Sequence, residues 1–196
     1  MILKVFLAGM AAACFTSVVE VAFSRLFGVK TLTMEIIKAF LLAGFFEETI
    51  KYLVAKKFAF KSKYLDEPVD FMIYMIIAAL GFVLVENLIL FFAVDYSYTI
   101  KSAFWFTAFR FVGAMLLHTL TSAVVGFFSA ISSRSRSNKF LFLGLFLAII
   151  AHGFYNFIIA DIFGSWRFFI LVIIIAALFY FTMFGFKKLN NLKRVK

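Results

Sequence analysis

Apolar residues run along this chain in stretches of twenty or more, separated by short polar breaks. The pattern shows neither the strict alternation of a half-buried strand nor the narrow apolar stripe of a soluble helix. A helix of about 20 residues, rising about 1.5 Å each, crosses a hydrocarbon core of about 30 Å. Six such segments are predicted: Leu3 to Phe23, Leu32 to Ala55, Val69 to Val94, Ser102 to Ile131, Phe140 to Ala160 and Trp166 to Phe186. A membrane β-barrel would need segments alternating apolar and polar over about ten positions, whereas these are apolar on nearly every face. Pro68, the only proline, stands where its fixed φ and missing N–H suit the start of the third helix. The expected fold is therefore all-α, a polytopic membrane bundle of about six transmembrane helices, with residues 1–196 forming a single domain.

Composition agrees, since 65% hydrophobic residues and a mean hydropathy of +1.05 exceed what a soluble domain can bury. The first segment reads as a transmembrane helix and not as a cleaved signal, because it continues past Cys14 to spanning length. Cys14 is the only cysteine, so no internal disulfide is expected, and the expected role of its thiol is that of a small packing residue.

The net charge of +10 reflects topology, not nucleic-acid binding. Thirteen basic residues, among them Lys4, Lys56, Lys57, Arg134, Arg136, Lys187 and Lys188, fall on one side of the predicted spans, against Arg25, Lys30, Lys101 and Arg167 on the other. An excess of Lys and Arg marks the cytoplasmic side, so both termini are expected there. The basic loop 56–67 and tail 187–196 fit the anionic surface of a lipid bilayer. No Gly-rich phosphate loop, heptad pattern or internal repeat is present, and nucleic acid is not expected as a partner.

Several ionisable or amide side chains lie inside the apolar segments: Glu47, Glu48, Lys51, Glu86, Asn87, His118, His152 and Asn156. A charge near the bilayer centre costs roughly 2.5 to 3.5 kcal/mol on insertion scales, so groups on different helices must meet one another or water. Counting in from the cytoplasmic ends places them at compatible depths on four segments. Residues three or four apart share a helix face, which lets Lys51 reach Glu47 or Glu48 and sets His152 one turn from Asn156. An imidazole and an amide on one face can hold a carbonyl oxygen or a water, while paired carboxylates beside a lysine suit proton transfer. Glu20, Glu35 and Lys38 flank the outer loop and are assigned no chemistry. Neither a Gly-x-Ser-x-Gly elbow nor the His-Glu-x-x-His zinc spacing occurs.

The order Glu47-Glu48-x-x-Lys51, Glu67-Pro68-Val69-Asp70 through Leu80-Gly81-Phe82 to Glu86-Asn87, then Arg110 with His118, then His152-Gly153-x-Tyr155-Asn156 resembles the PrsW family of intramembrane proteases. That family belongs with the CAAX prenyl proteases and bacterial Abi proteins. Phe71 and Leu90 depart from its pattern, which has a glycine and an aromatic there. The resemblance implies hydrolysis of a peptide bond in or near the bilayer. Its substrate would be a membrane protein, single-pass and of the anti-sigma-factor kind, and its setting a prokaryotic plasma membrane.

Carried onto this chain, Glu47 or Glu48 would be general base on a water, His118 would help activate it, and His152 with Asn156 would stabilise the oxyanion. Glu86, Asn87 and Lys51 would support them. If a metal is bound, His118, His152 and Glu86 would be its ligands, with zinc the candidate. The expectation favours a metal-free mechanism, because these residues come from separate segments. Two other classes are a proton-coupled carrier using the same residues as a relay, and a non-catalytic pseudoprotease scaffold.

Overall fold

In lipid every backbone N–H and C=O must be satisfied within its own segment, and the apolar runs accordingly become helices. The computed structural model describes residues 1–28, 31–93, 100–159 and 166–192. The helices are α1 (Ile2–Leu26), α2 (Leu32–Ile36), a π-helix (Ile37–Glu47), α3 (Glu48–Phe58), α4 (Asp70–Ala93), α5 (Ile100–Ser135), α6 (Asn138–Ile159) and α7 (Arg167–Asn190). Five of them, α1, α4, α5, α6 and α7, contain stretches long and apolar enough to cross a membrane. The second expected span exists as a composite, in which α2, the π-helix and α3 follow one another without a break. The chain is thus an integral membrane protein of all-α class. Lys30, the connections 94–99 and 160–165, the side chains of Lys101 and Arg110, and the tail residues Lys193, Arg194 and Lys196 lie outside the described residues.

Local chemistry explains the breaks. The Thr31 hydroxyl accepts from Met34 N at 3.3 Å and caps α2. Asp70 Oδ2 accepts from the backbone N–H groups of Asp66 and Glu67, at 3.0 and 2.8 Å, and so ties the loop to the start of α4. Between α5 and α6 the chain reverses at Arg136, whose φ is 53°, while Ser137 N donates to Ser132 O at 3.2 Å.

Helix α4 lies at the centre, packed between α1 and α5; α6 lies against α5 and the π-helix, and α7 against α5 and α6. The α1–α4 approach is closest at two glycines. A Cβ on Gly9 would run into the carbonyl of Ala78, and one on Gly81 into the carbonyl of Phe6. Small residues let membrane helices touch backbone to backbone, where dispersion replaces the hydrophobic drive that lipid removes. Met72, Met75, Ala78, Ala79 and Phe82 of α4 are buried, whereas Phe168, Val172, Ile173 and Tyr180 of α7 are exposed on the lipid-facing periphery. Phe71 is buried with its ring centroid 4.7 Å from that of Phe60, so it packs the inner loop onto α4.

Candidate active site

The polar side chains predicted to meet do so between the π-helix, α3, α4, α5 and α6. Glu47 ends the π-helix and Glu48 begins α3, so the change of helix type falls between the two acids. In an α-helix successive side chains diverge by about 100°, and a wider winding narrows that angle, which helps both acids turn toward His152. Glu47, Glu48, Lys51, His118 and His152 are all buried.

Glu48 is the structural acid of the pair. Its Oε1 accepts from Lys51 Nζ at 2.7 Å and from the Thr121 hydroxyl at 2.9 Å, and lies 2.7 Å from His152 Nδ1. Thr121, on α5, stands with Thr119 and Ser122 near His118 in the sequence, where the missing Gly-x-Ser-x-Gly elbow set these hydroxyls aside as nucleophiles; its role as a donor to Glu48 was not expected. A buried ammonium held by a carboxylate and an imidazole is the paired arrangement that makes a charge tolerable inside a protein. Phe82 covers it, with Lys51 Nζ 5.2 Å from the ring centroid.

These contacts assign the ring protons. An ammonium can only donate, so His118 Nδ1, 2.9 Å from Lys51 Nζ, accepts, and the neutral ring carries its proton on Nε2. That nitrogen lies 2.8 Å from Glu86 Oε2, close enough to pair though not aligned as a hydrogen bond. A carboxylate can only accept, so His152 donates from Nδ1 to Glu48 and its Nε2 is left bare. His152 Nε2 has no hydrogen-bond partner, and neither does Glu47 Oε2, 3.9 Å away. Glu47 Oε2 also lies 3.7 Å from His118 Nδ1.

Two buried acceptors facing each other without a donor are costly unless something carrying protons or positive charge comes between them. A water donating to both fits the 3.9 Å gap, and so does a cation. Glu47, His118 and His152 each present one ligand atom within 4.8 Å of the others, which suits a divalent ion in number and donor type. The third lone pair, on His118 Nδ1, is taken by Lys51, which would have to turn away for a metal to enter. The metal set expected from the sequence had Glu86 in place of Glu47. In the structure Glu86 meets the other nitrogen of His118, where a carboxylate orients an imidazole.

Glu47 opens onto a cavity of about 240 Å³, lined also by Glu86 and Asn156. Asn156, expected beside His152, therefore faces the cavity and is available to a substrate. Asn87 is buried with no hydrogen-bond partner for its Nδ2, and no contact joins it to the cluster among the described residues. Glu20, Ser24, Glu35 and Lys38, from α1, α2 and the π-helix, line the same cavity. The sequence places them near the outer ends of their helices but gives no sign that α1 contributes to the site.

A sequence profile described as PrsW family intramembrane metalloprotease matches residues 1–183. Among curated proteins, Protease PrsW of Shouchella clausii (strain KSM-K16) is 30% identical over 156 residues, covering 79% of this chain and 68% of the relative. Protease PrsW of Clostridioides difficile (strain 630) is 25% identical over 162 residues, covering 80% and 66%. That of Bacillus subtilis (strain 168) is 24% identical over 160 residues, covering 80% and 67%. No solved structure gives a significant match.

Proposed function

The chain belongs to the PrsW family of intramembrane proteases, and from that premise we propose how its buried cluster hydrolyses a peptide bond. The observation that carries the reading is the pair of unpartnered acceptors, Glu47 Oε2 and His152 Nε2, 3.9 Å apart, with Glu47 also lining the cavity. A water held there donates one hydrogen to each. Glu47 takes a proton as the water oxygen attacks the carbonyl carbon of the substrate. The amide of Asn156 donates to the oxyanion that develops on the carbonyl oxygen. Glu47 then returns its proton to the amide nitrogen, and the C–N bond breaks to give a carboxylic acid and an amine. His152, fixed through Nδ1 by Glu48, holds the second hydrogen of the water throughout. His118, engaged on both nitrogens, orients Lys51 and Glu86 and stands behind the water; the sequence expectation gave it a direct share in activation.

A second reading rests on the family description as metalloproteases and on the convergence of three ligand atoms. Glu47, His118 and His152 would hold a divalent ion, with Glu86 and Glu48 orienting the two imidazoles. Such an ion polarises a carbonyl and makes a bound water acidic near neutral pH. We place the water-only arrangement first because Lys51 already occupies the His118 lone pair.

The substrate is a single-pass membrane protein cut in or beside the bilayer, and the setting a prokaryotic plasma membrane with both termini of the enzyme in the cytoplasm. Purified protein in liposomes, incubated with a panel of single-span substrates and read out by product mass, is expected to give a discrete cut. Glu47→Gln and His152→Ala should give none; full activity in both would remove the cluster from the reaction. A carrier would give solute uptake and no products, and a scaffold would bind without cutting.

A further inference from the structure

The cavity wall carries a lysine that the proposed steps do not use. Lys38 stands in the first turn of the π-helix, half-buried, and lines the same cavity of about 240 Å³ as Glu47 and Asn156. Its place there follows from the winding. At about 100° a residue, an α-helix would turn side chains nine residues apart to nearly opposite faces, and Lys38 and Glu47 would not meet one space. The i→i+5 winding of a π-helix takes more than four residues a turn, so nine residues make about two whole turns. Lys38, Leu42, Ala43 and Glu47 accordingly line one cavity from one helix face.

Glu35, three residues earlier, lines the cavity too, but it belongs to α2, before the winding changes. Among the described residues no carboxylate lies within the 4.0 Å of an ion pair with the Lys38 ammonium, whereas Lys51 is held by Glu48 at 2.7 Å. Glu47 and Glu86, on the same cavity, lie against the imidazoles of His118 and His152. A half-buried ammonium without a counter-ion gains more from an arriving carboxylate than it would in open water, because low-dielectric walls strengthen the pair.

We propose that Lys38 is a specificity-determining residue for the protease reaction, its ammonium receiving an acidic side chain that the substrate carries close to the bond that is cut. The inference rests on Glu47 lying at the reacting carbonyl. Nine residues of the π-helix rise at most about 14 Å, with the α-helical rise of about 1.5 Å each as the upper limit. Extended peptide covers about 3.3 Å a residue, so the acid stands within about four residues of that bond.

The test uses single-span peptides in liposomes, in which one Glu is moved residue by residue along the span and each peptide is matched by its Gln counterpart. With wild type, kcat/KM for the best-placed Glu peptide should exceed that for the Gln peptide by about tenfold, the worth of one hydrogen bond to a charged group. Lys38→Met keeps the length of the side chain without its charge and should bring the ratio to about 1, while Lys38→Arg should keep it. Lys38→Glu should prefer a Lys peptide of the same register. A merely structural role would slow both peptides alike and leave the ratio in place. A ratio unchanged in Lys38→Met, or a wild-type ratio near 1 at every register, overturns the proposal.

A binding arm needs no turnover. Fluorescent Glu and Gln peptides are titrated into the full chain carrying Glu47→Gln, and the Glu peptide should bind about tenfold more tightly unless Lys38→Met is also present. Equal binding of the two peptides also overturns the proposal. If wild type cuts none of the peptides, or Glu47→Gln cuts them normally, the protease assignment of the cluster fails, and the binding ratio still decides whether Lys38 takes an acid.

Discussion

At the scale of single residues the two adjacent glutamates divide stability and chemistry between them. Glu48 offers one oxygen to Lys51, Thr121 and His152, so removing its charge leaves a buried ammonium without its counter-ion. Breaking a buried pair costs about 3 to 5 kcal/mol, and Glu48→Gln is expected to lower the melting temperature in detergent as well as activity. Glu47→Gln removes a buried acceptor that has no donor on Oε2 and should leave the melting temperature unchanged or raised while abolishing cleavage. Equal destabilisation by the two substitutions would defeat this division. Metal is a second test of the same atoms. Protein purified without chelator should carry well under one zinc per chain and keep its activity when trace metal is removed. Stoichiometric zinc, lost together with activity in His152→Ala, would establish the metal reading instead. The glutamates and histidines were legible from sequence because ionisable groups are conspicuous in apolar helices. Their ring protons, the Thr121 contact and the place of Glu20 on the cavity wall were not, because they depend on which side chain faces which neighbour.

Between whole helices the decisive features are rotational, and here the sequence is least informative. Segments apolar on every face carry no stripe to say which side turns inward, so burial of His118 or exposure of Phe154 could not be assigned in advance. The expected spans reproduce the helices to within a few residues at their ends, since length against bilayer thickness fixes them. The π-helix from Ile37 to Glu47 was invisible, because its apolar run is equally compatible with either winding. Glycine carries more signal. Gly9 and Gly81 mark where α1 and α4 touch, and Gly81 sits in the Leu80-Gly81-Phe82 part of the motif. Since a Cβ at either place meets a backbone carbonyl and not a flexible side chain, Gly81→Val must part the two helices. Overpacking of this kind costs about 1 to 3 kcal/mol, and the expected result is a lower melting temperature in detergent. Activity should fall with it, because α1 brings Glu20 and α4 brings Glu86 to the cavity. An unchanged melting temperature for Gly81→Val would show that the α1–α4 seam does not hold the bundle.

For the molecule as a whole, the site's place in the membrane follows from which surface faces the cytoplasm. Lys56 and Lys57 end α3 with Lys61 and Lys63 following it, Arg134 ends α5 with Arg136 following it, and Lys187 and Lys188 end α7, all at one end of the bundle by helix order. Such a bias in short loops orients a polytopic protein with its basic side inward. On the orientation proposed above, the end of α1 and the start of α2 face outward, on the side of the cavity wall that carries Glu20, Ser24, Glu35 and Lys38. Substrate would reach Glu47 from the outer half of the bilayer. Single cysteines on a Cys14→Ser background test this with a membrane-impermeant thiol reagent applied to intact cells. Gly28→Cys, in the connection after α1, should be labelled from outside, whereas Ser62→Cys and Ser137→Cys should react only after the membrane is opened. The reverse pattern would invert the enzyme and place the cavity mouth on the cytoplasmic side.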